Sequence, residues 1–165
     1  MNGTRESCKC AECASYCRHK PGWFKPGEAE RAAELKGMTL ADFFEKYLAV
    51  DYYIATPYND LKNDLFLLSP ATTEIEAGTE FPFEPRGTCV FFKNGLCEIH
   101  TAKPFECKMS FHGDGEIGPK DADRHLNVAK SWLNHQPQIK QLLGRKPKVS
   151  DADFMDWVSL LVPKV

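Results

Sequence analysis

The sequence predicts an α+β fold: a small, mostly helical single domain with a short irregular β-hairpin. Two observations predict it. Pairs of predicted helices lie on both sides of the middle of the chain, and in residues 39–48 the apolar residues recur at helical spacing. Between these segments lies Asn94-Gly95, the strongest short signal for a hairpin turn, with apolar residues on either side.

Bulk composition sets the class of protein. The chain has 165 residues, of which 42% are hydrophobic, so residues 1–165 can form one domain with its own core. The formal net charge of −2 provides no basic field, which argues against nucleic acid as a partner. The sequence has no long apolar run, and "MNGTRESCKC" does not resemble a secretory leader. We therefore expect a cytoplasmic protein with no membrane partner.

The first half of the chain predicts two helices. Residues 21–37 contain one that opens at Pro26-Gly27 and closes at Gly37. Residues 39–48 form the next, with Thr39 as N-cap and Asp42 three positions later. Apolar residues on one face of this second helix predict core packing: Phe43, Phe44, Tyr47 and Leu48.

The middle of the chain predicts strands, and its end predicts helices. Residues 51–58 and 64–69 are rich in aromatic and apolar residues and indicate short strands, followed by a loop over 71–87. A two-residue turn in the hairpin 88–100 sets three pairs: Lys93 with Leu96, Phe92 with Cys97, and Cys89 with His100. Helices are expected over 121–136, 137–144 and 150–162.

Seven cysteines fall in two clusters, residues 8–17 and 89–107. Structural disulfides explain them poorly, because the number is odd and the first cluster is very tightly spaced. A thioredoxin-type site would need a strand before Cys10, and the preceding residues do not form one. Metal binding is favoured, because two thiolates of a Cys-x-x-Cys turn converge on one ion and the second cluster supplies the remaining ligands.

The predicted cofactor is zinc or iron, possibly as an iron–sulfur cluster, because thiolates select these metals over magnesium and calcium. The seven thiols can hold one or two ions. Two tetrahedral ions need eight ligands, so either a histidine completes the set or one thiolate bridges both ions. The candidate histidines are His19, His100 and His112. The predicted metal ligands are Cys8, Cys10, Cys13, Cys17, Cys89, Cys97 and Cys107. Basic residues flank the cysteines: Lys9, Arg18, Lys20, Lys103 and Lys108. They can offset the negative charge of metal-bound thiolates, but the favoured interpretation is that they are solvated surface cations.

The segments "CAECASYCRHKPGWF" and "CVFFKNGLCEIHTAKPFEC" resemble the YkgJ-like cysteine-cluster family, as does "FFEKYL" of the second helix. The resemblance covers residues 8–112 and implies a zinc- or iron-chelating domain, which leaves 113–165 as a helical extension. Tyr16 stands where the family has the first cysteine of a doublet, and Cys8 is an additional thiol. His100 replaces the family's usual tyrosine.

Two classes of function follow. The first is a metal-binding protein whose cysteine clusters serve a structural or metal-handling role. The alternative is an iron- or iron–sulfur-dependent enzyme, for example a protein-modifying one, with an open metal position. Such an enzyme would need acid–base groups beside the metal, for which His112, Asp114 and Glu116 are candidates. The sequence identifies no particular catalytic residue, substrate or protein partner.

Overall fold

The computed structural model describes residues 11–19, 21–80, 87–109 and 120–144. Six α-helices and four short strands are found in this part of the chain. The helices are α1 (Ala11–His19), α2 (Glu28–Leu35), α3 (Leu40–Tyr47), α4 (Phe105–Met109), α5 (Lys120–Ser131) and α6 (Gln136–Leu143). The strands are β1 (Leu48–Tyr53), β2 (Leu65–Pro70), β3 (Phe92–Lys93) and β4 (Leu96–Cys97).

Local signals position α2 and α3 as predicted. Gly27 occupies the N-cap of α2 with φ of 86°, a left-handed conformation that glycine adopts without strain. Thr39 caps α3, since its hydroxyl accepts a hydrogen bond from the Asp42 amide at 3.2 Å. The predicted apolar face of α3 is confirmed as core, because Phe43 and Phe44 are fully buried.

The first strand begins earlier than the sequence predicts. β1 starts at Leu48, directly after α3, and pairs antiparallel with β2 from Leu48 opposite Pro70 to Tyr53 opposite Leu65. The expected strand over 51–58 is therefore wrong in its second half. Asn59 explains this, because its side chain accepts from the Thr56 amide at 3.0 Å and donates to the Ile54 carbonyl at 2.8 Å. These bonds form a turn in place of a ladder.

The hairpin has the predicted turn but a shorter ladder. Asn94 and Gly95 both have positive φ, 51° and 80°, as a two-residue hairpin turn requires. The pairs Phe92–Cys97 and Lys93–Leu96 are confirmed. The expected pairing of Cys89 with His100 is wrong, because Cys89 bridges Thr72 and His100 begins a 3-10 helix over His100–Ala102. The hairpin is consequently irregular around its two cysteines.

The C-terminal helices pack on the edge of β2. The predicted single helix over 121–136 is divided, since α5 ends at Ser131 and a 3-10 helix, Leu133–His135, leads into α6. The side chain of Gln136 binds both backbone groups of Phe66: its oxygen accepts from the Phe66 amide and its nitrogen donates to the Phe66 carbonyl, at 2.9 Å each. These two bonds close the edge of β2. Trp132 is buried and its indole donates to the Phe24 carbonyl at 2.8 Å.

These elements form an α+β arrangement, with two separate two-stranded antiparallel sheets among the described residues. Helices α2 and α3, the β1–β2 pair and helices α5 and α6 all contribute side chains to one buried cluster. Among the described helices, none has the length and apolar character needed to cross a membrane. The predicted helix over 150–162 and part of the predicted loop, residues 81–86, lie outside the described residues.

Candidate metal centre

Four of the seven predicted ligands have described side chains, and each comes from a different segment of the chain. Cys17 lies in α1, Cys89 precedes β3, Cys97 ends β4 and Cys107 lies in α4. None of these four forms a disulfide. Cys13 is in α1, one helical turn before Cys17, but only its backbone is described. Cys8 and Cys10 lie outside the described residues.

A backbone hydrogen bond joins the two cysteine clusters directly. The carbonyl of Cys17 accepts from the amide of Cys89 at 2.7 Å. Carbonyl groups in the last turn of a helix have no partner within the helix, so this contact satisfies one of them. Residue 89 is thereby fixed beside the end of α1, although the two cysteines are far apart in the sequence.

The four thiols are close enough for their charges to interact. Burial raises the pKa of Cys89 well above the usual thiol range, and charges on Cys107, Cys17 and Cys97 raise it further. Burial also raises the pKa of Cys107 to about 12, with Cys17 and Cys97 adding to that rise. Without a metal, these thiols are therefore protonated at neutral pH, and a metal must displace their protons to bind.

Backbone amides point at three of the sulfurs. Cys89 and Cys97 accept hydrogen bonds from Phe91 and Ile99, each two residues further along, and both bonds lower the thiol pKa. The Gly22 amide donates to the Cys107 Sγ at 3.3 Å. Phe91 and Ile99 are fully buried, so the core fixes both donors. Donors of this kind stabilise thiolates, the form in which cysteine binds metal.

Gly22 permits the close approach of α4 to the segment before Phe24. A Cβ atom on Gly22 would lie 2.7 Å from the Glu106 Cβ, 2.8 Å from the Cys107 nitrogen and 2.9 Å from its Sγ. Real Cβ contacts are essentially never so short, so any larger residue would push α4 away. The Pro-Gly step at 21–22 thus sets the position of Cys107 within the site.

Lys103 is a buried cation next to the thiols. Its residue is only 7% exposed, which corrects the interpretation of this lysine as a solvated surface group. Its positive charge lowers the pKa values of Cys17, Cys97 and Cys107, against the larger effect of burial. An ammonium group here offsets the negative charge that several thiolates would bring to a metal.

A buried glutamate holds α4 in place. Glu28 accepts from the Phe105 amide, which begins α4, at 2.8 Å, and from the Lys25 amide at 2.8 Å. Its other oxygen accepts from the Lys108 ammonium at 3.0 Å. Lys108 therefore forms an ion pair, while Arg18 is exposed and lies 5.6 Å from the centre of the Phe92 ring. Lys9 and Lys20 lie outside the described residues.

The arrangement is not that of a formed chelate within the described part of the chain. Across residues 11–19, 21–80, 87–109 and 120–144, no group of three or more His, Cys, Asp or Glu side chains is placed to hold a metal ion. His19 is exposed at the end of α1, and His100 is partly buried at the start of its 3-10 helix. His112, Asp114 and Glu116 lie outside the described residues.

The sequence analysis missed a histidine that contacts this region. The position of His125 in a helix gave no reason to select it, but its Nδ1 lies 2.5 Å from the Glu106 carboxylate. Glu106 directly precedes Cys107 in the sequence. The same glutamate accepts from the Trp23 amide at 2.8 Å. The only signal in the sequence was the "FEC" triplet, which places a carboxylate next to a predicted ligand.

Comparisons of this chain with protein-family models, with curated proteins and with solved structures found no match.

Proposed function

We propose that this protein binds zinc or iron, as single ions or as an iron–sulfur cluster, through its seven cysteines, and that the metal has a structural or metal-handling role. The observation that carries the proposal is the convergence of thiols from three elements, α1, β4 and α4, and from the segment before β3. Cys89 lies within electrostatic range of Cys17, Cys97 and Cys107, although its nearest cysteine neighbour among the described residues is several positions away.

The donor chemistry of the site fits a thiolate-bound metal. Three sulfurs accept hydrogen bonds from backbone amides, and the buried ammonium of Lys103 favours ionised thiols. Both features stabilise the ionised form of a thiol, which is the form that binds metal, and neutral thiols in an ordinary core do not require them. The resemblance to the YkgJ-like family implies six of the seven as ligands: Cys10, Cys13, Cys17, Cys89, Cys97 and Cys107.

Metal binding would add a further link between elements that are individually short. Helix α4 has only five residues, and β3 and β4 have two each, too few to be stable alone. A metal held by Cys17, Cys89, Cys97 and Cys107 would tie these elements to α1. Its binding free energy would then become folding free energy, on the order of 10 kcal/mol for a structural zinc.

The first test is elemental analysis of the protein purified without oxygen, together with its absorbance spectrum. Zinc without a visible band would indicate a colourless closed site, and a broad brown absorbance would indicate iron–sulfur. Folded protein that contains neither metal and has seven titratable thiols would contradict the proposal.

A variant series tests the ligands themselves. Cys107→Ala should lose bound metal and unfold at a lower denaturant concentration than the parent. Its free energy of unfolding should be lower by several kcal/mol. Leu133→Ala is the control, because Leu133 is 52% exposed and its truncation removes no metal ligand. A chelator should destabilise the parent but leave Cys107→Ala unchanged. Equal metal content in the Cys107→Ala variant and the parent would show that Cys107 is not a ligand.

A further inference from the structure

The tip of the β3–β4 hairpin presents the dipeptide Asn94-Gly95 at the surface. Asn94 is exposed, and its side chain makes no hydrogen bond within the part of the chain that the structure describes. Its φ of 51° lies in the left-handed region, which a residue with a side chain adopts only at a cost in free energy. The tip therefore combines an accessible amide side chain, a strained backbone and a following residue without a Cβ.

This tip is held more weakly than the base of the hairpin. The ladder consists of only two residue pairs, too few to be stable alone. At the base, the Glu98 amide donates to the Phe91 carbonyl at 2.8 Å, and Phe91 is fully buried in the core. The tip therefore opens more readily than its base.

From these features we propose that Asn94 is a self-modification site, which converts in water to aspartate and isoaspartate, and that the isoaspartate form displaces Cys97 and weakens metal binding. The conversion depends on the dipeptide and its exposure, whereas its effect on metal binding rests on the proposed function. Gly95 favours the conversion because it has no Cβ to obstruct attack by its own nitrogen.

The reaction needs only water. In the open tip, the Gly95 nitrogen bonds to the Asn94 Cγ, and the bond from Cγ to the side-chain nitrogen breaks. The side-chain nitrogen keeps the electron pair and takes up the proton of the Gly95 amide, so that ammonia leaves and a succinimide ring remains. Water then adds to one ring carbonyl, the C–N bond of that carbonyl breaks, and a water proton returns to the Gly95 nitrogen. Addition at the side-chain carbonyl gives aspartate, and addition at the backbone carbonyl gives isoaspartate.

The other asparagines in the described ranges lack this combination of features. The Asn59 side chain is engaged, since it donates to the Ile54 carbonyl at 2.8 Å. Asn127 and Asn134 lie within helical segments. Asn63 is exposed like Asn94, but it precedes an aspartate, whose Cβ hinders ring closure. Asn63 is therefore the internal control.

Isoaspartate changes the length of the turn. Its main chain runs through Cβ and Cγ and so contains one additional carbon atom. The two ends of the hairpin are fixed, because Phe91 and Ile99 are both fully buried. The additional atom must be accommodated between them, and Cys97, which pairs with Phe92, lies in that interval. The register that positions the Cys97 sulfur therefore changes.

Metal binding and modification at this hairpin oppose each other. A metal held by Cys97 would keep the tip closed, because it links the end of β4 to α1 and α4. Ring closure takes place in the open tip, so bound metal would slow the conversion. Thermodynamic linkage requires the converse, that a modification which favours the open tip lowers the affinity for metal.

The first experiment measures the conversion in the full chain without metal. Asn2→Ser is introduced to remove the second Asn-Gly dipeptide, which lies outside the described residues. During storage at mildly alkaline pH, peptide mass spectrometry and enzymatic methylation of isoaspartate follow each asparagine. Asn94 should convert at least about tenfold faster than Asn63, because the residue after Asn94 has no Cβ. An Asn94 rate no greater than that of Asn63 would overturn the proposal.

Two variants of Asn94 serve as controls. Asn94→Gly cannot form the ring, and Gly-Gly also favours this type of turn, so it should keep the hairpin and show no conversion there. Asn94→Asp carries the added charge without the added backbone atom. It separates the effect of charge from that of turn length.

The second experiment measures the consequence for Cys97. The isoaspartate form is isolated by ion-exchange chromatography and compared with Asn94→Asp. In metal-free protein, iodoacetamide should alkylate Cys97 several-fold faster in the isoaspartate form, with Cys107 unchanged. Chelator competition with zinc should give an affinity about tenfold lower than that of Asn94→Asp.

Equal alkylation of Cys97 in the isoaspartate form and in Asn94→Asp would overturn the proposed displacement. Equal zinc affinity would overturn its effect on the metal site. The alkylation readout needs no metal. If no form of the protein binds zinc or iron, the proposed function fails, and the alkylation rates still decide whether isoaspartate displaces Cys97.

Discussion

Substitution of Gly22 by alanine tests whether the contact between the 21–23 segment and α4 positions the candidate metal site. The added Cβ would meet the Glu106 Cβ at 2.7 Å and the Cys107 nitrogen and Sγ at 2.8 and 2.9 Å. Two of these atoms belong to or adjoin the backbone of α4, so the clash cannot be relieved by rotating a flexible side chain. Either α4 or the segment itself must move.

The expected cost follows from the contacts that this movement would break. Overpacking costs about 1–3 kcal/mol. Loss of the bond from the Trp23 amide to the Glu106 carboxylate, 2.8 Å long, adds about 1.5–3 kcal/mol. Loss of the bond from the Gly22 amide to the Cys107 Sγ adds about 1 kcal/mol. A total of about 5 kcal/mol would lower Tm by roughly 10–20 °C for a domain of this size.

Gly144→Ala is the matched control. Gly144 has a helical φ of −63°, and its added Cβ would come no closer than 3.2 Å to the Lys140 carbonyl. We expect its Tm to stay within a few degrees of the parent. Urea unfolding and metal content would be measured for both variants. A Gly22→Ala protein with the parent's stability and metal content would refute the assigned role of this contact.

Three further outcomes are expected. Metal-free protein should lose stability as pH rises from about 8.5 toward 12, by up to about 1.4 kcal/mol per pH unit for each thiol. Stability falls with rising pH because burial raises the pKa of Cys107 to about 12, so the native state keeps a proton that the unfolded chain has lost. A flat stability profile there, measured by urea unfolding, would contradict this. Lys103→Met should weaken metal binding about tenfold in chelator competition, because it removes the buried cation, whereas Lys62→Met on the surface should not. Equal affinities would exclude this role. Gln136→Leu should cost about 1–3 kcal/mol in urea unfolding, since it leaves two backbone groups on the β2 edge without their partner, and the exposed Gln141→Leu should cost little. Equal stabilities would show that water replaces the lost bonds.

Features encoded by neighbouring residues could be predicted from the sequence. Thr39 caps α3 through an amide three residues away, and Asn94-Gly95 sets the register of β3 and β4. The apolar face of α3 was also correct, because helical periodicity alone fixes which side chains share a face. The limit appears at β1, where the side chain of Asn59 ends the strand by binding backbone five residues earlier.

The sequence by itself determined the kind of chemistry available: seven thiols in two clusters, a class of ligand that favours zinc or iron. Only the tertiary structure decided which groups meet. The Cys17 carbonyl binds the Cys89 amide, Lys103 is buried beside the thiols, and His125 reaches the carboxylate of Glu106. These contacts join residues from different helices and loops. They depend on how the elements pack around a shared core, which no short-range pattern in the sequence encodes.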